Sequence, residues 1–476
     1  MSRQAMIIDM DRCVGCGACA VACDAEWELP EGVRRAWVEP LWPVPAKGQV
    51  VFTHFLGQCN HCSDAPCVPA CPTGATFRDA KGRVRVDDKA CIRCGYCVSA
   101  CPYGARMLRP EGGRLEKCDF CAPLVDAGLI PACVRTCPSG ARVFGDLDDR
   151  DGQVARHFRT HRVERLETSA VAVQPNVYYS GRKDVLERIR LSHPPRPAGL
   201  HPPLPGRLLR DLLKPAFMAM LALGALGVAA TFLRQLLRGE GDDASGHGGA
   251  EAGPEVGEVH RHDAVILWLH WFNALAWLFQ ASTGFALLGR TAYSVTPPFF
   301  NDAMLSVFGS GATMLRAHIV VGLIWAVVLV MYGVFGFKRY LVPFLAGLRL
   351  RPDDLRWIRT RSGNIFRRSE QPLPPQDKYN AGQKLCGMAV SLGTFVVAST
   401  GLVLYFLPGS GAIVQWAIPL HFAAAAGVVL AILIHVTVVT LLPAERPALW
   451  SMFTGKISSR YAREHNARWW NGLKDK

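Results

Sequence analysis

Sixteen of the seventeen cysteines lie between residues 13 and 137, in four groups of four. They are Cys13, Cys16, Cys19 and Cys23 in CVGCGACAVAC; Cys59, Cys62, Cys67 and Cys71 in CNHCSDAPCVPACP; Cys91, Cys94, Cys97 and Cys101 in CIRCGYCVSACP; and Cys118, Cys121, Cys133 and Cys137 in CDFCAPLVDAGLIPACVRTCP. The first and third groups have the spacing in which three close thiolates face one iron–sulphur cube and a fourth reaches another. The other two lengthen the second gap and keep the last one. Proline follows three of the four last cysteines, at Pro72, Pro102 and Pro138, and Asp24 replaces it in the first group. A disulphide framework suits small secreted domains and would not repeat this spacing. Zinc takes four ligands and leaves no role for the third cysteine of each close triplet. The chemistry expected is therefore electron transfer through four [4Fe–4S] clusters.

In two-cluster ferredoxins the fourth cysteine of one motif ligates the other motif's cluster. The two middle groups are near neighbours in sequence and should exchange in this way. One cluster then takes Cys59, Cys62, Cys67 and Cys101, and its neighbour takes Cys91, Cys94, Cys97 and Cys71. By elimination the outer groups pair: Cys13, Cys16, Cys19 and Cys137 hold one cluster, and Cys118, Cys121, Cys133 and Cys23 hold the other.

A second kind of chemistry lies in the other half of the chain. His270, His318, His421 and His435 sit inside long apolar runs, where ionisable groups are functional candidates and neutral imidazole is a standard haem ligand. His421 and His435 are 14 residues apart, close to four helical turns, or about 21 Å along one face. That spacing suits two b-type haems stacked across one bilayer. Matching depths pairs His318 with His421 at an outer haem, and His270 with His435 at an inner one. His260 and His262 precede the membrane and are expected at the surface.

The elements that must position these residues follow from composition. At 476 residues, more than one core is expected. Residues 1–180 read as an α+β ferredoxin-like domain, 181–215 as an extended, arginine- and proline-rich connector, and 216–238 as one transmembrane anchor helix. Residues 239–259, GEGDDASGHGGAEAGPEVGE and its neighbour, read as a flexible cytoplasmic linker. Residues 260–476 read as an all-α, four-helix dihaem cytochrome b bundle with a cytoplasmic tail. The anchor run, Ala216–Leu233, is about 18 residues and near the lower limit for a span. Four further runs lie near 263–288, 315–336, 384–407 and 416–442, giving five helices in the lipid bilayer.

The +14 net charge is a topology signal here and not a nucleic-acid one. Ten lysines and arginines crowd the loop from Lys338 to Lys378, and seven more the tail from Arg446 to Lys476, against Arg290 and Arg316 on the other side. The positive-inside rule puts loop, linker and C-terminus in the cytoplasm and the iron–sulphur domain in the periplasm of a bacterial inner membrane. No signal peptide is visible in MSRQAMIIDMDRC. A domain that folds around clusters before export would travel with a partner carrying a twin-arginine signal. The alternative is a cytoplasmic iron–sulphur domain.

The segments CNHCSDAPCVPACPTGAT, CIRCGYCVSACPYGAR, EKCDFC and PACVRTCPSGARVFGDL resemble the four-cluster electron-transfer (beta) subunits of molybdopterin oxidoreductases. That group includes formate dehydrogenases and the thiosulphate, polysulphide and tetrathionate reductases. LHWFNALAWLFQASTG, RAHIVVG, DKYNAGQK, ILIHVTVV and the tail SSRYAREHNARWW resemble the cytochrome b (gamma) subunit of respiratory formate dehydrogenase. The anchor run after LLKPA resembles the helix that ends that enzyme's beta subunit, so the chain reads as a beta–gamma fusion. The resemblance places a quinone, menaquinone or ubiquinone, at the inner haem beside Asn380, Gly382 and Gln383. Helix-start capping is the competing role for Asn380 and Gln383.

With no substrate-transforming site visible, the chain is expected to be a non-catalytic electron-transfer subunit. The resemblance implies a separate molybdenum or tungsten catalytic subunit that oxidises formate. Electrons would then run through four clusters and two haems to the quinone pool, with a higher oligomer of the complex possible. ARVFGDLDDRDGQVARHF and PNVYYSG lie closer to the sulphur-reductase beta subunits, which leaves the same wire run backwards in a thiosulphate- or polysulphide-type reductase as the alternative. A third reading, of another class, is a quinone-linked adaptor with no catalytic partner.

Overall fold

The strand Gln4–Asp9, QAMIID, is buried at every position. It pairs in parallel with Val177–Ser180, with Met6 opposite Val177 and Ile8 opposite Tyr179, and antiparallel with Arg142–Asp146. Val163–Arg165 completes a four-stranded sheet on the far side of Val177–Ser180. Parallel neighbours need a long crossover; here the whole cysteine-bearing stretch supplies it. Alternate side chains face opposite ways. Ala5 and Ile7 pack with Val154 and Tyr178, while Met6 and Ile8 join Cys19, Cys118 and Cys133 on the other face. The sheet thus has one face against a helix and the other against thiols.

The computed structural model describes residues 3–46, 49–110, 113–196, 203–223, 226, 257–289, 291, 293–367, 371–408, 411–442 and 445–474. Contacts divide the chain into two units. One gathers Met1–Leu212, Phe285–Arg316 and Leu402–Pro419, and the other Leu213–Gly284, Ala317–Gly401 and Leu420–Lys476.

In the first unit the ribbon Ala36–Ala46 with Gln49–Gln58 and two small hairpins surround the cysteines. Short helices at Ala18–Glu26, Tyr96–Ser99 and Ala132–Arg135 carry or lead into the third and fourth cysteines of three groups. The connector was expected to be extended from residue 181. Lys183–Ser192 is instead a helix, because Val185, Leu186 and Ile189 fall on one face and bury against the thiol-lined core.

Among the described residues, four helices are long and apolar enough to cross a membrane: α1 (Ala264–Leu287), α2 (Gly311–Phe335), α3 (Ala381–Phe406) and α4 (Ala412–Leu441). Large apolar side chains such as Val330, Phe335, Leu392 and Phe395 face outward on them, as lipid-facing surfaces do. The expected fifth helix is only partly described. Residues 214–223 are helical, while 224–225 and 227–233, like the linker 239–256, lie outside the described residues.

The second unit packs Ala276, Trp277, Trp325, Val397 and Val428 at its centre. Where α3 begins, the fully buried Lys384 is held 2.9 Å from both Asp354 and Asp377. Such a cation is retained only when its donors are paired.

Candidate functional site

Each turn of chain that carries a cysteine triplet closes tightly. His61, Arg93, Phe120 and Cys121 adopt left-handed backbone angles, which aims successive N–H groups inward as in anion-binding nests. Phe120 N–H donates to Cys118 Sγ at 3.4 Å, and Ala141 N–H to Cys137 Sγ at 3.3 Å. Gly15 has φ +68°, and a Cβ there would lie 2.2 Å from the His54 ring, so this turn accepts only glycine.

The tertiary fold brings the sixteen cysteines into the four sets expected by exchange. Cys13, Cys16, Cys19 and Cys137 line one cavity, and Cys71, Cys91, Cys94 and Cys97 line a second. Cys62 is surrounded by Cys59, Cys67 and Cys101. Cys23 neighbours Cys121, Cys133 and Cys118. Burial pushes the Cys67 thiol up to about 12, and those of Cys91 and Cys121 up to about 11. Cys137 departs from this: Ser139 and the N–H groups of Ala141 and Arg142 outweigh its burial and hold it below the usual thiol value. Four buried thiols facing one another ionise only when a cation joins them.

Two arginines test whether that cation is iron in a negatively charged cluster. Arg106 is buried among Cys59, Cys67, Cys97 and Cys101, and Arg142 among Cys19, Cys118 and Cys133. Each therefore stands between two of the four-cysteine sets. Arg106 donates to Thr76 Oγ1 at 3.2 Å, and Arg142 to Gln58 Oε1 at 2.5 Å. Nε and Nη2 of both have no partner among the described residues. A guanidinium left so among neutral thiols would be costly. Thiolate-ligated clusters would supply the missing negative charge, so the residues fit the group. Neither arginine was among the residues expected from the sequence, although the repeat CPYGAR and CPSGAR marks them.

In the second unit the His318 and His421 rings lie edge to face, inclined by 66°, with centroids 6.5 Å apart. That leaves room for one metal bonded at about 2 Å to each nitrogen. Thr283 Oγ1 lies 2.8 Å from His318 Nδ1, and Thr400 Oγ1 lies 2.9 Å from His421 Nδ1. Each hydroxyl proton is already donated one turn back, to Phe279 O at 2.8 Å and to Val396 O at 2.6 Å. The threonine oxygens must therefore accept from Nδ1–H, which leaves both Nε2 lone pairs free for a metal. Beside His318, Gly284 makes room, since a Cβ there would stand 3.2 Å from the ring, while one at Gly401 would make an ordinary contact with His421 at 3.5 Å. The tetrapeptide ASTG occurs at Ala281–Gly284 and again at Ala398–Gly401. That repeat is a readable signal for these threonines, which were not among the expected site residues. His270 and His435 lie within electrostatic reach of one another. His318 and His421 thus fit a haem between them, and His270 and His435 lie near each other as expected.

Asn380 and Gln383 form a reciprocal cap on α3. Gln383 N–H donates to Asn380 Oδ1 at 2.9 Å and Asn380 N–H to Gln383 Oε1 at 3.1 Å. Gly382 lies against Asn380 and Trp357. His260 is exposed as expected, but His262 is not: it is 5% exposed. Burial, with Arg261 and Lys378 beside it, pushes His262 down to about 3.

Known proteins match the two halves of the sequence separately. Residues 50–147 match the family described as 4Fe-4S dicluster domain, residues 6–26 the 4Fe-4S binding domain, and residues 261–455 prokaryotic cytochrome b561. A subunit of the tetrathionate reductase of Salmonella typhimurium is 42% identical over 185 residues, which cover 38% of this chain and 74% of that protein. The thiosulfate reductase electron transfer subunit of Salmonella typhi is 46% identical over 31% of this chain and 78% of its own length. The arsenate respiratory reductase iron-sulfur subunit of a Shewanella species is 34% identical over 37% of this chain and 95% of its own.

Proposed function

Because the chain belongs to the family of iron–sulphur electron-transfer subunits that these relatives represent, here fused to a cytochrome b561 domain, we propose that it relays electrons between the membrane quinone pool and a separate molybdopterin catalytic subunit. The direction proposed is from quinol to a reductase acting on an oxyanion such as tetrathionate, thiosulfate or arsenate. The observation that carries this is the match to reductase subunits over most of their length, and none of those named here is a formate dehydrogenase. The formate reading rests on the resemblance of the membrane segments and the tail to formate dehydrogenase subunits, and becomes the second choice.

The clusters and haems supply reversible one-electron exchange. The chain's own residues do the rest. The sixteen cysteines in their four exchanged sets hold four clusters, and Arg106 and Arg142 balance their charge. His318 with His421 and His270 with His435 hold two haems by Nε2, and the threonines fix the tautomer of the first pair. Apolar helices keep water from the haems, and the quinone meets the chain near Asn380, Gly382 and Gln383. The iron–sulphur domain is proposed on the periplasmic face and the tail in the cytoplasm.

Purification of the full-length chain from its native membranes tests this. A large molybdopterin subunit should co-purify, and haems reduced by quinol should reoxidise when tetrathionate, thiosulfate or arsenate is added. Haem reduction by formate, with no response to these oxidants, would restore the formate reading. Absence of any large partner would leave the adaptor.

A further inference from the structure

Arg261 and His262 lie immediately before α1, 4% and 5% exposed. Their backbone is fixed from the far end of the chain. Both N–H groups donate to Gly455 O, at 2.8 Å and 3.0 Å. Next to that junction, Glu258–His260 pairs antiparallel with Lys456–Ser458. Gly455 has φ +73°, and a Cβ there would lie 2.7 Å from the His262 carbonyl, so no other residue closes the junction unstrained. The position of these two side chains is therefore built by the fold and is not a loose terminus.

Their polar atoms are not used up by the protein. Arg261 Nη2 donates to Lys378 O at 2.7 Å. Its Nε and Nη1, and His262 Nδ1, have no partner among the described residues. Glu445, a carboxylate whose charge acts on Arg261, is engaged by Arg361 at 3.1 Å and by the Tyr461 hydroxyl at 3.4 Å. The cationic neighbours of His262 are Arg261 and Lys378, with the imidazoles of His260 and His270 also within reach. The cluster is thus rich in donors and positive charge, and it adjoins a histidine assigned above to the inner haem. Buried N–H groups of this kind call for acceptor oxygens.

We propose that Arg261 and His262 form a binding site for acceptor oxygens at the inner haem, taking either a carboxylate of that haem or the carbonyl of the quinone. The proposal rests on the reading of His270 and His435 as the ligands of that haem. It gives that end of the bundle a second recognition element besides the cap of α3, and it explains why the C-terminal segment must fold back over the start of α1. Both sources share one chemistry, oxygen accepting from a buried guanidinium and an imidazole, and differ in what their loss would change.

The test uses the full-length chain in its membrane complex, with Arg261→Gln, His262→Phe and the charge-preserving Arg261→Lys. Two quantities are read in each: the inner-haem midpoint potential, and the affinity for menadione followed by the perturbation of that haem's spectrum. A fall in potential in Arg261→Gln, recovered in Arg261→Lys, with menadione binding unchanged, identifies the haem carboxylate. A loss of menadione affinity of about tenfold or more, the cost of one charge-assisted hydrogen bond, with the potential unchanged, identifies the quinone carbonyl. Neither quantity moving in any variant that retains both haems overturns the site. His270→Ala tests the underlying reading separately: that variant should lose one low-spin haem, and its keeping both would remove the haem assignment itself.

Discussion

Arg106 and Arg142 show how much one side chain can carry in this molecule. Each is a buried cation set between two four-thiol groups, and the same CPxGAR hexapeptide delivers both. Removing a positive charge beside a redox centre makes its reduction harder, most strongly where little water screens it. Arg106→Gln should therefore lower the potentials of the two neighbouring clusters while leaving iron content intact, as read by redox titration with electron paramagnetic resonance. Unchanged potentials would refute the assignment. The threonine oxygens act on the other cofactor. An imidazole that donates Nδ1–H is a more basic ligand and favours ferric iron. Thr400→Val should raise the outer-haem potential and weaken haem retention by about 10- to 100-fold, and Thr400→Ser should restore both. A valine variant with a normal potential would reduce Thr400 to packing.

At the scale of elements, α4 contains a proline that its sequence makes awkward. Pro419 lacks the N–H that would bond the carbonyl of Gln415 one turn earlier. The Tyr96 hydroxyl takes that place at 2.9 Å, and the Gln415 side chain donates to Cys94 O at 3.2 Å. The turn that presents Cys94 and the first turn of α4 are thereby joined inside the first unit. Tyr96→Phe leaves the carbonyl unpaired and should cost about 1–3 kcal/mol, seen as faster hydrogen exchange in the first turns of α4. Unaltered exchange there would show that water replaces the hydroxyl. The cap of α3 separates two roles in the same way. Asn380→Ala should lower thermal stability by about 1 kcal/mol, whereas Asn380→Ser keeps the cap and removes the amide. If quinone affinity falls in the serine variant at unchanged stability, the amide binds quinone; equal affinity in both would confine Asn380 to capping.

For the whole molecule, the iron–sulphur half should not outlive its iron. Its core counts Cys19, Cys59, Cys118 and Cys133 among its buried residues, and Arg106 and Arg142 would lose their counter-charge. Chain produced under iron chelation, with haem supplied, should lose sheet signal in circular dichroism and be cut by protease within residues 3–196. The haem spectrum should survive. A protease-resistant, iron-free domain would show that apolar packing alone holds it. The runs that became α1 to α4 were legible because hydropathy is a local average over sequence. Cysteine identity and the exchange between groups were legible because ligand spacing is local and the four motifs repeat. That His318 would meet His421, and His270 lie near His435, was legible from their matched depths along apolar runs. Other features needed the tertiary structure, because burial and the fate of a polar atom depend on segments far apart in the chain. His262, expected at the surface from its place before α1, is buried where its backbone N–H donates to Gly455 O. Apolar contacts with the thiol-lined core turn an expected extended connector into the helix Lys183–Ser192. Two arginines acquire their meaning from cysteines contributed by separate motifs, and a tyrosine in the third cysteine group completes a helix more than 300 residues away.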